Sequence, residues 1–172
     1  MSELDLAPLR RLVAARAVRS FEDRPVPAET VHAVIDVARW TGSARNRQPW
    51  RFRIVTDQRT RSALAELGTY ARHLAGAPCV LVLLAANDGR RDTVFDVGRV
   101  AQSVALAATG VGLGCCPATI YPDENVARAG RLLDVTDDWQ VRWCFSLGFP
   151  RRTAGGRSAV PIGRHSVDEL LI

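Results

Sequence analysis

The sequence is 172 residues long, 47% hydrophobic and 24% charged, which is enough chain for one substantial core and the make-up of an ordinary soluble globular protein. No stretch is apolar for the length a membrane helix needs, and an N-terminus carrying Glu3 and Asp5 has no hydrophobic export core, so neither a membrane partner nor export is expected. The formal net charge of +5 comes from arginine alone, because lysine is absent; a lysine Schiff base is excluded, and any phosphate must be held by arginine, hydroxyls or backbone N–H groups.

Leu6, Leu9, Leu12 and Val13 recur at helical spacing and predict an amphipathic helix over about residues 6–16. Pro25 and Pro27 punctuate the turn that follows, and a second helix carries Val31, Val34, Ile35 and Ala38 on one face. Residues 41–50 read as a loop, and 51–56 alternate as a strand. Asp57 is placed to cap a helix containing Ala63, Leu64 and Leu67. The run from Cys79 to Ala85, bounded by Pro78 and Asn87, predicts a buried strand.

A long helix is predicted from about Asp92 to Thr109, with Val97, Val100, Ala101, Val104, Ala105 and Ala108 on its packed face and Gly98 permitting close approach of another element. Leu113 to Thr119 predicts a short strand, Asp123 a cap for a helix ending near Leu133, and Trp139 to Leu147 the last strand. The tail from Pro150 to Gly163 reads as an extended or mobile segment, and Ser166 to Glu169 as a capping box. Strands separated by helices, with almost no hairpin signal, imply by pattern alone an α/β layered domain spanning residues 1–172.

The four cysteines lack Cys-x-x-Cys spacing and sit mainly in apolar runs, which suits small buried hydrophobes in a reducing cytoplasm. His32, His73 and His165 are scattered, with no metal-ligand spacing. The arginines extend from Arg10 to Arg164, interleaved with acids, whereas a nucleic-acid surface clusters its cations; no nucleic-acid partner is expected. The tightest group, Arg45, Arg47, Arg51 and Arg53, is a local cluster that could attract an anionic ligand or nucleic acid.

The tract Ser43-Ala44-Arg45-Asn46-Arg47-Gln48-Pro49-Trp50 resembles the Ser-x-x-Asn-x-Gln-Pro-Trp loop of the nitroreductase family. Upstream, Arg16-Ala17-Val18-Arg19-Ser20-Phe21 is similar to that family's Arg-Arg-Ser-x-Arg-x-Phe flavin-phosphate motif. Asp96 to Ser103 resembles its Asp-x-Gly-x-x-x-Gln-x helix, Gly112 to Cys116 its Gly-Leu-Gly-Ser-Cys, and Gly163 to Leu170 its C-terminal Gly-Arg-Lys-Pro-Leu-Asp-Glu-Val. The motifs occur in family order from Leu9 to Leu171. Two positions depart from the pattern: Ala15 stands where the family has Arg and Ala17 where it has Ser, removing two phosphate or ribityl contacts.

The resemblance implies an α+β fold, a nitroreductase-like mixed central sheet flanked by helices, in an intertwined homodimer with FMN at the interface. It further implies an oxidoreductase that passes electrons from NAD(P)H through FMN to a nitroaromatic, quinone or related acceptor. The cofactor, rather than a catalytic side chain, would carry that chemistry. Arg16, Ala17, Arg19 and Arg164 would surround the phosphate, with Arg157 as a weaker candidate. Gly42, Ser43, Ala44, Asn46 and Gln48 would face the ring of a partner's flavin. Thr69 falls where many relatives place an Asn on the flavin pyrimidine, and Thr119 and Ile120 where backbone N–H groups approach flavin N5. Read without the family, the spacing favours Arg16 and Arg19 as a solvated pair at a helix end and Trp50 as core packing, and Gln48 equally as a residue that pins its loop. The alternative function is a non-catalytic flavin- or partner-binding module on the same scaffold.

Overall fold

The apolar run that predicted a buried strand lies at the centre of the sheet. In the computed structural model, which describes residues 5–151 and 163–172, it forms β2 (Cys79–Ala86). β2 lies between β1 (Trp50–Val55) and β4 (Trp139–Gly148), and β3 (Gly114–Thr119) closes the far edge, in the order β1-β2-β4-β3. Every pairing among these strands is antiparallel.

Helices cover both faces, which is why β2 reads as continuously apolar rather than alternating. Leu81 and Leu83 point to one layer, where α2 (Ala28–Ala38) and α4 (Arg91–Gly110) contribute Val31, Val34, Val97, Val100 and Val104. Val80, Val82 and Leu84 point to the other, where α3 (Gln58–Ala65), a 3₁₀ turn (Arg72–Leu74) and α5 (Asp123–Leu132) contribute Leu64, Leu74, Val126 and Ala129. The fold is α+β, three layers with two apolar cores.

The layering matches the pattern-based reading; the strand directions do not follow from it. Helix α4 does join β2 and β3, which run parallel, but β4 is inserted between them, so neither strand pairs with a parallel neighbour. Hydrophobic periodicity reports burial and is silent on pairing direction.

The first helix, α1 (Ala7–Val13), stops short of the expected residue 16, so Arg16 and Arg19 lie in a non-helical segment and not on a helix end. Asp123 is the first residue of α5 behind Pro122 and makes no cap; its carboxylate pairs with Arg142 at 2.6 Å instead. Gly98 has nothing within 4 Å of an added Cβ among the described residues, so none of them makes the close approach expected there. The stretch 152–162, which holds Arg157 and most of the tail read as extended, lies outside the described residues. The capping box is formed: Ser166 accepts from Glu169 N–H and Glu169 from Ser166 N–H, opening α6 (Val167–Leu170).

Asp57 caps α3 as expected, accepting from Thr60 N–H at 2.7 Å. The hydroxyl and amide of Thr60 together hold its carboxyl below the usual range. With a depressed folded pKa, the cap's contribution is present above the unfolded value and is lost as pH falls through the folded one. Asp57→Ala is expected to speed amide exchange at Thr60 at neutral pH while leaving β2 amides unchanged, measured by native-state hydrogen exchange.

Candidate functional site

β3 is an edge strand, and its outer side organises one group of the expected residues. Ile120 N–H donates inward to Arg142 O at 2.8 Å. By the alternation of an antiparallel ladder, Thr119, opposite Trp143, turns its own N–H and C=O away from β4. Pro117 shares that outward phase, where the missing N–H removes no ladder bond. Of the two backbone donors expected near a ring, Thr119 N–H faces out and Ile120 N–H is already engaged.

Two segments fix the ends of this edge. Val18 N–H donates to Cys115 O at 3.0 Å, and Val18 fills the space over Gly114, where an added Cβ would lie 2.7 Å from it. At the other end Tyr121 N–H donates to Leu67 O at 3.1 Å, and Gly68 crosses so close that an added Cβ would sit 2.5 Å from Thr119 O. Arg19 and Thr69 are therefore strung along roughly 13 Å of one strand edge, from Cys115 to Thr119. Arg16, Ala17, Arg19 and Thr69 are all exposed, and neither arginine forms an ion pair among the described residues.

Close enough to feel the charge of Arg19 is a group that no sequence motif singles out. His73, half-buried on the Arg72–Leu74 turn, has Nδ1 2.8 Å from Ser146 Oγ. Ser146 is fully buried, donates to Cys116 O at 3.3 Å, and pairs across the ladder with Cys116. Burial first, and the Arg19 guanidinium second, lower the His73 pKa, while a hydrogen bond to the Pro117 backbone opposes them. Cys115, buried in the same strand, has its thiol pushed up to about 12, so it is no nucleophile near neutral pH.

The second group is the loop before β1. Arg45, Asn46 and Gln48 adopt left-handed backbone (φ 52°, 53° and 49°), a conformation that costs about 1 kcal/mol or more per residue and persists only where surroundings impose it. Here α4 imposes it. The Asp96 carboxylate, 3% exposed, accepts Ala44 N–H at 2.9 Å, and Arg99 donates to Gly42 O at 2.7 Å. Ser43 Oγ accepts Gln48 N–H at 2.9 Å, and Arg47 pairs with Asp88 at 2.8 Å and Asp92 at 2.7 Å. The outcome is a pinned platform that leaves Gly42 and Asn46 exposed, with Trp50 buried behind it.

These contacts also disperse the arginine cluster read from sequence. Arg47 is neutralised by two aspartates, and Arg51 stacks over the Trp139 ring, 4.9 Å from its centroid. The cavity of about 280 Å³ between α5 and β4 is no better as an anion site, since its Arg142 is paired with Asp123.

The two groups do not meet within one protomer. The loop leads into β1 and the arginines flank β3, at opposite edges of the sheet and about 14 Å apart by strand spacing alone. Arg164 joins neither: it donates to Gly163 O at 2.6 Å, and residues 163–172 are exposed throughout. Among the described residues no helix is long and apolar enough to cross a membrane.

Comparison with known proteins gives a consistent result. The model of the Nitroreductase family matches residues 12–71 and 66–149. A protein of Methanothermobacter thermautotrophicus, provisionally named NADH dehydrogenase/NAD(P)H nitroreductase, is 26% identical over 161 residues, spanning 91% of this chain and 83% of its own. Nitroreductase NfnB of Mycolicibacterium smegmatis is 27% identical, covering 74% of this chain and 78% of its own. Among solved structures, a Nitroreductase Family Protein from Streptococcus pneumoniae superposes with a TM-score of 0.80 over 95% of this chain and 98% of its own, at 19% identity. An FMN-dependent Nitroreductase from Clostridium difficile superposes at 0.77 over 88% and 92%, at 21% identity.

Proposed function

Since the chain belongs to the nitroreductase family and is by that an oxidoreductase, we propose that it works as a single domain that binds FMN and carries electrons from NAD(P)H to a nitroaromatic, quinone or related small acceptor. The observation that carries this reading is the docking of the Arg16–Arg19 segment, through Val18, on the outward-facing edge of β3, with both arginines exposed and without carboxylate partners among the described residues. The donor set fits the cofactor. Guanidinium forks suit the phosphate, Thr119 N–H and Thr69 suit a polar ring edge, and no protein acid or base is required. FMN, when bound, would supply the hydride and electron chemistry. The relatives' names support NAD(P)H as donor, and that of the Clostridium protein supports FMN.

We further propose that two copies assemble, each offering its Gly42–Gln48 platform to the other's β3 edge. Separation of the two groups in the protomer supports this, as does apolar surface left uncovered, with Trp40 77% and Phe95 69% exposed. Buried, unpaired thiols suit a cytoplasmic setting. The second reading, a binding module without turnover, is favoured by Ala15 and Ala17, which leave the phosphate fewer partners than the family pattern provides.

The test is a visible absorption spectrum of the purified protein before and after excess FMN and desalting, followed by NAD(P)H oxidation with a quinone. Retained flavin bands with steady turnover are the expected result. Retained flavin without turnover selects a flavin-binding module; a protein that refuses FMN overturns the FMN-dependent enzyme and leaves a different cofactor or a non-catalytic partner-binding module.

A further inference from the structure

The fold gives three of the clustered arginines Arg45, Arg47, Arg51 and Arg53 a place away from the face of the loop. Arg47 is held between Asp88 and Asp92. Trp50, Phe52 and Ile54 pack with α2 and α4, so by strand alternation Arg51 and Arg53 point to the opposite side of β1. Arg51 is further tied down by a bond to Trp50 O at 2.7 Å and by the Trp139 ring. Arg45 differs. It is the middle residue of the Ala44–Asn46 turn, is exposed, and forms no ion pair among the described residues. The carboxylates beside the loop are already engaged: Asp88 and Asp92 with Arg47, and Asp96 with Ala44 N–H and, at 3.7 Å, with Arg99.

We propose that Arg45 selects the charge of the electron acceptor by binding a carboxylate carried on the acceptor's aromatic ring. The proposal rests on the reading above, in which the Gly42–Gln48 platform faces the flavin of a second copy and so borders the space an acceptor enters. The backbone under Arg45 is fixed in advance. Asp96 accepts Ala44 N–H at 2.9 Å, Asn46 N–H donates to Ser43 O at 2.9 Å, and Arg45 itself is held at φ 52°. Binding then has only a side chain to order, and the guanidinium fork can take a carboxylate through two parallel N–H···O bonds. A single free guanidinium suits one small anion, whereas a nucleic-acid strand requires several cations in a row. Arg45 plays no part in electron transfer and acts through acceptor affinity alone.

Arg45→Asn removes the charge with a residue suited to left-handed backbone, so the loop should keep its shape. Flavin-loaded wild type and variant are titrated with benzoate and benzamide, which are not reduced, by perturbation of the visible flavin bands. Turnover with NAD(P)H is then measured for para-nitrobenzoate and para-nitrobenzamide, whose intrinsic reactivities cancel in the comparison between proteins. The expected result is a carboxylate-to-amide ratio, in Kd and in kcat/KM, about tenfold lower in the variant, the scale of one charge-assisted hydrogen bond. The change should lie in KM, Arg45→Lys should recover part of it, and added salt should erode the wild-type preference. An unchanged ratio overturns this proposal alone, as does an equal loss with both ligands, which would make Arg45 a structural part of the loop. So does a wild type that binds FMN yet reduces neither nitro compound. An unchanged ratio with a raised KM for NAD(P)H would assign Arg45 to a phosphate of the donor instead. Failure of the wild type to bind FMN overturns the cofactor reading and this proposal with it.

Discussion

Phe145→Ala is expected to lower the unfolding free energy by about 3–5 kcal/mol, a large part of the roughly 5–15 kcal/mol of an ordinary domain. Phe145 is 2% exposed and is the largest of the fully buried side chains. It stands on β4, an inner strand, directly across from Leu81 on one side and Pro117 on the other. Its ring fills the layer under α2 and α4 with Val31, Val34 and Val100. β4 is paired on both sides, with β2 and with β3, which limits how far the strand can move to close the void, so the upper part of the range applies. Urea denaturation of the flavin-free protein at fixed concentration measures it, because bound ligand or a second copy would shift the apparent value by mass action. Phe145→Leu should lose markedly less. Equal losses for Leu and Ala would mean that the site tolerates voids and that its packing is looser than described.

What could be read from the sequence was what local chemistry decides. The run from Cys79 to Ala85 between Pro78 and Asn87 could be little else than a strand covered on both faces, and the Asp57 cap announces itself by its position before Ala63 and Leu64. Pairing direction and element ends were not legible. α1 has the apolar spacing of a longer helix, but the chain leaves the helix after Val13 to dock Val18 on β3, a tertiary bond that no window of sequence contains. The left-handed Arg45, Asn46 and Gln48 were hidden for the same reason, since only Asn among them is inclined to that backbone, and the cause lies some fifty residues away in Asp96 and Arg99.

The site was legible as a set of motifs and not as a geometry. Asp96 was visible within the tract resembling the family helix, yet nothing in the spacing said that its carboxylate would reach Ala44 N–H. Arg47 read as one of four clustered cations; its two aspartate partners follow it in sequence by about forty residues. His73 carried no signal at all, because its significance comes from Ser146 and Arg19, which only the fold brings to it. Motif resemblance finds groups that act together in relatives. A residue outside every such motif emerges only when the strands are paired.

Arg19→Gln is expected to raise the dissociation constant for FMN by about 10–100-fold, the range for losing hydrogen bonds to a charged group, while leaving riboflavin affinity little changed. Arg19 is exposed and makes no ion pair among the described residues, so the substitution removes no structural contact of that kind. Its segment is held by main chain: Val18 N–H to Cys115 O, Arg151 N–H to Ser20 O and Glu22 N–H to Phe149 O. Folding should therefore be preserved and the change read in binding alone. Arg16→Gln should cost less, because Arg16 lies further from the Val18 anchor, whereas the charge of Arg19 is felt by both His73 and Cys116. Arg19→Lys should recover only part of the loss, since it restores the charge but not the planar fork. The salt dependence of FMN binding should weaken in Arg19→Gln relative to wild type. Fluorescence titration with FMN and riboflavin at two ionic strengths decides the matter. Equal losses for both ligands would place Arg19 on the ring or ribityl chain, and the phosphate would then have to be sought at Arg16 or at the Arg164 arm of a second copy.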